Sequence, residues 1–557
     1  MYLGFRGVKA LFSGLVQAVQ AYIVVSYTEG QKSRAGRFRF FRRQLTCAGI
    51  LFFLIIITPW RSWCLAVRKV GSLCFSRFVS KFIGYNIFEF GTLKAGEDNN
   101  IVLEKLFELS VRKTDVRTEI VGGVTTFMTM AYILFVNPSI LSSAGMDKNA
   151  ILLATALSAG IVSIMMGVFV NYPIALAPGM GLNAFYAFTV VIGMGVSWQT
   201  ALGAVFISGL VFIALTVTQI RQLLVEALPG SLKHAITVGI GLFITIIGLK
   251  LSGILQIRLS LIPPTLEKLI TTKGNATPLP FETIMEMGKI LEPHILLAII
   301  GLTIIVVLMA RGVKGSMLMG IILTTIIGIF MGVVKVPPAF SPIAFPDFSK
   351  NNFLQLDIMG ALNMGLLTII FTFTFVELFD TMGTLVGTAS RAGLMDKQGH
   401  FPGMGKAMLV DATGVSLGAL LGTSTITAYI ESAAGVAAGA RTGLAAVTTG
   451  ILFILALFFI PLAGLIPDAA TAPALIIVGA LMMESVLQID FNDFSEAFPA
   501  FLTIVLMPFT YSIANGISAG LVFYPLLKLI TGKGRDVHWI IYSLAILVLV
   551  RFLFLAD

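Results

Sequence analysis

"ALAPGMGLNAFYAF", residues 175–188, interrupts a chain otherwise made of long apolar runs. Pro178, Gly179 and Gly181 support a continuous helix poorly, because proline lacks a backbone donor and glycine loses the most entropy on ordering. In lipid every backbone N–H and C=O needs a partner inside the protein, so a broken helix must be buried in protein or line a cavity. A second interruption, "GTSTITAYIESAAG" (422–435), stands in the matching place of the second half of the chain. Its β-branched "TSTITAYI" favours extended backbone. Two such extended pieces would pair as a small antiparallel ladder, with helices starting near Asn183 and Ser432. Those helix starts would point partial positive charge into the cavity. Glycine also serves close helix packing in membranes, but two breaks at matching positions point to a binding site where they meet.

Around these breaks, 57% of the 557 residues are apolar and 12% are charged. Soluble domains carry about a quarter charged residues. Apolar stretches recur at the roughly 17–25 residues that cross a bilayer, whereas a β-barrel would show alternating segments of about ten. The fold class expected is therefore an all-α polytopic membrane protein. The first set of segments covers about 118–137, 150–170, a short one at 184–193, 200–220, 233–250, 296–310 and 316–334. The second covers about 360–386, 407–421, a short one at 431–440, 444–465, 472–488, 497–513, 515–531 and 538–556. Asn515-Gly516 is expected to break the last group. Arg112, Lys113, Arg117, Arg221, Arg311, Lys314, Arg391, Lys397 and Lys406 all fall on the cytoplasmic side if the chain starts inside. The 251–295 segment then lies outside as a loop; its "NAT" (275–277) reads as a chance triplet.

Acids inside apolar segments are costly, about 2.5–3.5 kcal/mol each at a helix centre, and mark cavities or partners. "FTFTFVELFDTMGT" (371–384) carries Glu377 and Asp380 three residues apart, hence on one helix face, with Thr381 and Thr384 extending it. Glu431 lies in the second break. No Lys or Arg lies inside the apolar segment of Glu377 and Asp380, about 360–386. Burial and a second carboxylate both raise a carboxyl pKa, which suits proton coupling. Ionised carboxylates accept hydrogen bonds from a ring bearing N–H groups, and phenylalanines stack on such a ring. A structural polar bond between helices is the competing role, most plausibly for Glu377. The four histidines, His234, His294, His400 and His538, form no zinc-like cluster. No phosphate-cradling G-x-x-x-x-G-K-[ST] occurs. Neither an enzyme, nor a metal site, nor a cofactor is expected.

Residues 1–101 differ from the rest. They hold fourteen of the 38 Lys+Arg, four of the 28 Asp+Glu and all three cysteines, Cys47, Cys64 and Cys74, leaving 24 of each sign beyond. A basic anchoring extension is one reading; a mis-assigned start upstream of Val102, which opens "VLEKLFELSVRKTDVRTEIVGG", is the favoured one.

"TTFMTMAYILFVNP" (125–138), "APGMGLNAFYAF" (177–188), "FVELFDTMGT" (375–384) and "TAYIESAAGVAAGARTGL" (427–444) together resemble the AzgA-like purine permeases of the nucleobase–cation symporter-2, or xanthine/uracil permease, family. The resemblance covers about 103–557. It implies fourteen spans as a seven-plus-seven inverted repeat, helices 1–7 within 102–334 and helices 8–14 within 335–557. Core (helices 1–4, 8–11) and gate (5–7, 12–14) domains follow, with short strands in the broken helices 3 and 10. It implies proton-coupled import of hypoxanthine, guanine or adenine across the cell membrane by alternating access. Asp380 and Glu431 resemble the substrate-binding acids, and Asn183 with the backbone near Gly181 the helix-3 contribution. Thr381 and Ser432 join the substrate-binding set. Thr384 stands where uracil-type relatives carry a histidine, which moves attention to Glu377, with Asp380 and Glu431, for proton coupling. The partners expected are a purine, protons, the bilayer and a second copy in a homodimer, without nucleic acid. An anion transporter of the related sulfate-permease type and a non-transporting receptor are the alternatives.

Overall fold

A computed structural model describes residues 99–554 apart from 219–220, 222–223, 225–226, 262–280, 339, 350, 363–366 and 393–402. The basic extension up to residue 98, the three cysteines and the "NAT" triplet lie outside the described residues. Within helix Leu367–Arg391 the side chain of Asp380 also lies outside them.

The first set begins with α1 (Asn99–Phe107), whose Phe107 packs with Leu109 against Leu444. Asp115 caps α2 (Val116–Met130) by accepting from the N–H groups of Arg117 and Thr118. The chain turns at Ala131 and Tyr132 and resumes as α3 (Ile133–Ser142). Next, α4 (Lys148–Val170) starts on the Asp147 side chain and stops at Asn171 in the left-handed region. The break follows as β1 (Leu176–Pro178), α5 (Met180–Ala184) and π-helical turns over Phe185–Gly193. Then come α6 (Trp198–Val217), α7 (Gly230–Leu251), β2 (Leu255–Leu261), β3 (Phe281–Met287), α8 (Pro293–Ala310) and α9 (Ser316–Phe330).

The second set runs α10 (Leu367–Arg391), α11 (Met404–Leu421), β4 (Ile426–Ala428), α12 (Ser432–Ala437), α13 (Gly443–Leu455), α14 (Asp468–Met482), α15 (Phe494–Phe509), α16 (Ile513–Ile530) and α17 (Trp539–Phe554). Among the described residues, nine helices are long and apolar enough to cross a membrane, and five shorter apolar helices accompany them. The protein is a mostly helical, multi-pass membrane protein.

Three expectations shift. The helix after the first break starts at Met180 rather than near Asn183. The last group breaks at Thr510–Ser512 rather than Asn515-Gly516: the Ser512 side chain caps α16 by accepting from Asn515 N–H, which leaves Asn515 and Gly516 helical. Gly516 serves packing instead, since a Cβ there would meet Met507 Cγ at 2.3 Å and Thr503 O at 2.6 Å. The 251–295 segment is no simple loop, for β2 and β3 pair antiparallel, Leu255 opposite Met287.

Burial sorts the helices. Of the most apolar stretch of α4, 72% is buried, against 28% for α8, which is built to face lipid. Close approach explains the tightest pairs. A Cβ on Gly167 of α4 would lie 2.4 Å from Gly443 O, and one on Gly479 of α14 would lie 2.4 Å from Gly241 O of α7. Hydroxyls inside apolar helices return to the carbonyl four residues back, as Thr324 (2.7 Å), Thr325 (2.8 Å) and Thr449 (2.9 Å) do.

Candidate binding centre between the broken helices

The two breaks meet. β1 and β4 pair antiparallel with Leu176 opposite Ala428, Ala177 opposite Thr427 and Pro178 opposite Ile426. The ladder is extended by Gly179 N–H to Thr425 O (3.0 Å) and Tyr429 N–H to Ala175 O (3.1 Å). The Tyr429 hydroxyl donates to Pro178 O at 2.5 Å, and Ala175 N–H donates to Ser432 Oγ at 3.0 Å. Backbone groups that the helix breaks free are thus satisfied across the two halves, and those of Leu176 by Ser163 on α4, as a hydrocarbon interior demands. Ser432, expected at the site, is buried and occupied in this seam.

Glu431 immediately precedes α12 and is half-buried. The fully buried Tyr132, in the turn between α2 and α3, donates its hydroxyl proton to Glu431 Oε1 at 2.6 Å. The far end of α12 is tied by another acid. Buried Glu119 accepts from the N–H groups of Arg441 (2.7 Å) and Thr442 (3.2 Å), while the Arg441 guanidinium donates to Val436 O and Ala440 O at the α12 terminus. Glu431 is therefore held at one end of a short, doubly anchored helix, and Tyr132 takes only one of the several lone-pair positions of its carboxylate.

Asn183 on α5 is fully buried. Its Nδ2 donates to Asn137 Oδ1 at 2.6 Å, and its Oδ1 accepts from Ser424 at 2.5 Å. Asn137 in turn donates to Thr155 (2.7 Å) and Thr423 (3.0 Å). This neutral cluster stitches the second break to α3 and α4. Gly181 is a contact point: a Cβ there would lie 2.5 Å from Ile240 Cγ2 on α7. Phe185 meets Phe373 edge-on at 5.1 Å, which places an aromatic wall between α5 and α10.

On α10, Glu377 and Thr381 are both buried and turn toward α11 and β4. The Thr381 hydroxyl lies 2.9 Å from Asp411 Oδ2, 3.1 Å from Thr427 Oγ1 and 3.4 Å from Glu377 Oε1. Asp411 faces Arg221, Nη2 to Oδ2 at 3.7 Å, with both side chains fully buried. Arg221, expected as a loop charge on the cytoplasmic side, is the largest fully buried side chain among the described residues, with Cζ 3.9 Å from the Phe212 ring centroid. Leaving one partner of such a pair uncompensated costs about 3–5 kcal/mol. So Glu377 does have a basic group near its network, delivered by another segment. The helix bearing Asp380 packs against both β4 and α12. Thr384, one turn on, is partly exposed.

Tyr132, Asn137 and Asp411 are missing from the sequence expectations, and Arg221 figures there only as a loop charge. Asp411 carried a usable signal, an acid within the apolar run 407–421. Tyr132 and Asn137 carried none, because tyrosine and asparagine are unremarkable in a helix until their partners are known. No group of three or more His, Cys, Asp or Glu able to hold a metal occurs among the described residues.

Residues 117–519 match the model of a permease family, Xan_ur_permease. The chain is 44% identical over 445 residues to the adenine permease AdeQ of Escherichia coli, covering 80% of this chain and 95% of that protein. It is 44% identical over 465 residues to the guanine/hypoxanthine permease PbuG of Bacillus subtilis, covering 81% and 100%. Among solved structures it resembles the transmembrane domain of the cyanobacterial bicarbonate transporter BicA, with TM-score 0.50 at 16% identity over 72% of this chain and 97% of that one. It also resembles the murine anion transporter Slc26a9, with TM-score 0.52 at 12% identity over 80% and 75%.

Proposed function

The chain belongs to this xanthine/uracil-type permease family, and from that membership we propose that it imports purine nucleobases (adenine, guanine or hypoxanthine) across the plasma membrane, coupled to protons, by alternating access. It is a transporter and not an enzyme. The observation that carries the purine reading is Glu431: an acid beside the paired breaks, held by Tyr132, with acceptor capacity left for a ring N–H. Relatives covering nearly their whole length are permeases for adenine and for guanine and hypoxanthine. The likeness to anion transporters concerns the fold alone, and carboxylates at the centre would repel an anion.

In this proposal Asp380 and Glu431 take the ring N–H groups. Gly181, Asn183, Thr381 and Ser432 shape the walls, and Glu377 joins the two acids in proton coupling. Fourteen spans, seven per repeat, fall within 102–334 and 335–557, closing at Ile530, with α17 as an addition beyond the repeat. The support is an exchange of partners: α7 packs on α14, while α8 packs on α14 as α15 packs on α7. Two repeats related by a two-fold axis in the membrane plane make such exchanged pairs.

The experiment is uptake of labelled hypoxanthine, competed by a purine panel, in cells lacking purine import, with and without a protonophore. Saturable uptake that purines inhibit and the protonophore abolishes is expected. Asp380→Asn retaining full saturable uptake would contradict the site, and protonophore-resistant concentrative uptake would contradict proton coupling.

A further inference from the structure

We propose that Arg221 is a positioning residue for the binding centre: it fixes the Asp411 carboxylate, Asp411 takes the single Thr381 proton, and Thr381 thereby holds Thr427 on β4. For its functional readout this rests on the purine-transport reading above.

Arg221 comes from the connection between α6 and α7, yet it is fully buried. Its guanidinium lies over the Phe212 ring, Cζ 3.9 Å from the centroid. Nη1 donates to Met408 O at 3.4 Å, and Nη2 stands 3.7 Å from Asp411 Oδ2. Its Nε and Nη2 have no hydrogen-bond partner among the described residues. The group is thus held chiefly by a ring face and by charge. It acts as a plane-fixed counter-charge, which a flexible ammonium on lysine does not reproduce.

A hydroxyl has one proton to give. Thr381 has three oxygens around it, and Asp411 is the nearest at 2.9 Å, ahead of Thr427 at 3.1 Å and Glu377 at 3.4 Å. With the Arg221 guanidinium facing Asp411 and Asp411 nearest, the Thr381 proton goes there. Thr381 then accepts from Thr427, so the two hydroxyls point one way. Thr427 sits opposite Ala177 in the ladder and four residues before Glu431. Thr381 directly follows Asp380. One fixed direction of hydrogen bonds therefore joins the α6–α7 connection to the elements carrying both proposed substrate acids.

The test measures KM and Vmax for labelled adenine, guanine and hypoxanthine, with Vmax normalised to protein in the membrane. Thr381→Val is expected to raise KM about ten-fold, the worth of one such hydrogen bond, with Vmax largely kept. Arg221→Met alone strands Asp411 in the interior. The charge-free double variant Arg221→Met/Asp411→Leu therefore keeps the test open, because apolar replacement of a buried pair preserves stability in other proteins. It is expected to raise KM as Thr381→Val does, and adding Thr381→Val to it is expected to raise KM no further. Arg221→Lys should restore the protein level but not the KM. A wild-type KM in the double variant, or KM effects that multiply in the triple, would overturn the proposal. If the unaltered protein takes up none of the three purines, the transport reading fails by itself. Melting of the detergent-purified variants then decides: non-additive losses between the pair and Thr381 sustain the chain of bonds, and additive losses overturn it.

Discussion

The two broken helices share a backbone plan and differ in chemistry. Each has three extended residues followed by a short helix, after Gly179 alone in the first break and after Tyr429, Ile430 and Glu431 in the second, and the extended pieces pair with each other. Beside the first, the polar residue is a carboxamide whose donor and acceptor both go to protein, Asn137 and Ser424. Beside the second it is a carboxylate with one tyrosine donor and partial exposure. A neutral amide is cheap to bury once bonded, whereas an ionised acid is stable at the membrane centre only with donors or water. In the proposed reading the first break is the scaffold and the second carries the substrate-binding acid.

The largest expected effect is at the charged side. Glu431→Gln keeps the shape and removes the charge-assisted bond, worth about 1.5–3 kcal/mol. Purine uptake efficiency should therefore fall by about ten- to a hundred-fold or more, without a drop in melting temperature. Asn183→Ala is expected to do the opposite. It strands Asn137 and Ser424 and destabilises the protein by about 1–3 kcal/mol, with a smaller change in KM for the protein that does fold. If Asn183→Ala abolished binding at unchanged melting temperature, the division between scaffold and charge would break.

Tyr132→Phe sharpens the same contrast. Losing the donor 2.6 Å from Glu431 should raise KM about ten-fold and shift the pH profile of uptake, because the acid loses a bond that favours its ionised form. The smallest effect is expected away from both breaks. Lys533, then Ser495, donate to Asp493 and hold its carboxyl below the usual carboxylate range. A lowered folded-state pKa contributes stability above the unfolded value of about 3.9 that is lost as pH falls through the folded one. Asp493→Asn should accordingly leave KM alone, lower stability slightly at neutral pH and flatten the fall in stability at the acid end.

Much of this was legible in the amino-acid order. Apolar length located the helices, and Pro178, the neighbouring glycines and "TSTITAYI" located the paired strands. Glu431 stood out because an acid in an apolar segment is expensive. What stayed hidden depends on partners distant in sequence. Arg221 looked like a loop charge because it follows an apolar segment, and only folding brings it to Asp411 and Phe212. The bonds of Asn183 were hidden because its partners Asn137 and Ser424 lie in other segments. The end of α15 was misplaced because glycine usually marks breaks, yet Gly516 is used for contact with Met507.

The most direct measurement is counterflow in proteoliposomes. Vesicles containing the purified protein and loaded with unlabelled hypoxanthine are expected to accumulate labelled hypoxanthine transiently, and vesicles with Glu431→Gln to accumulate almost none. Counterflow by the Glu431→Gln protein equal to that of the unaltered protein, or no counterflow of adenine, guanine or hypoxanthine by the unaltered protein, would contradict a purine carrier centred on the second broken helix.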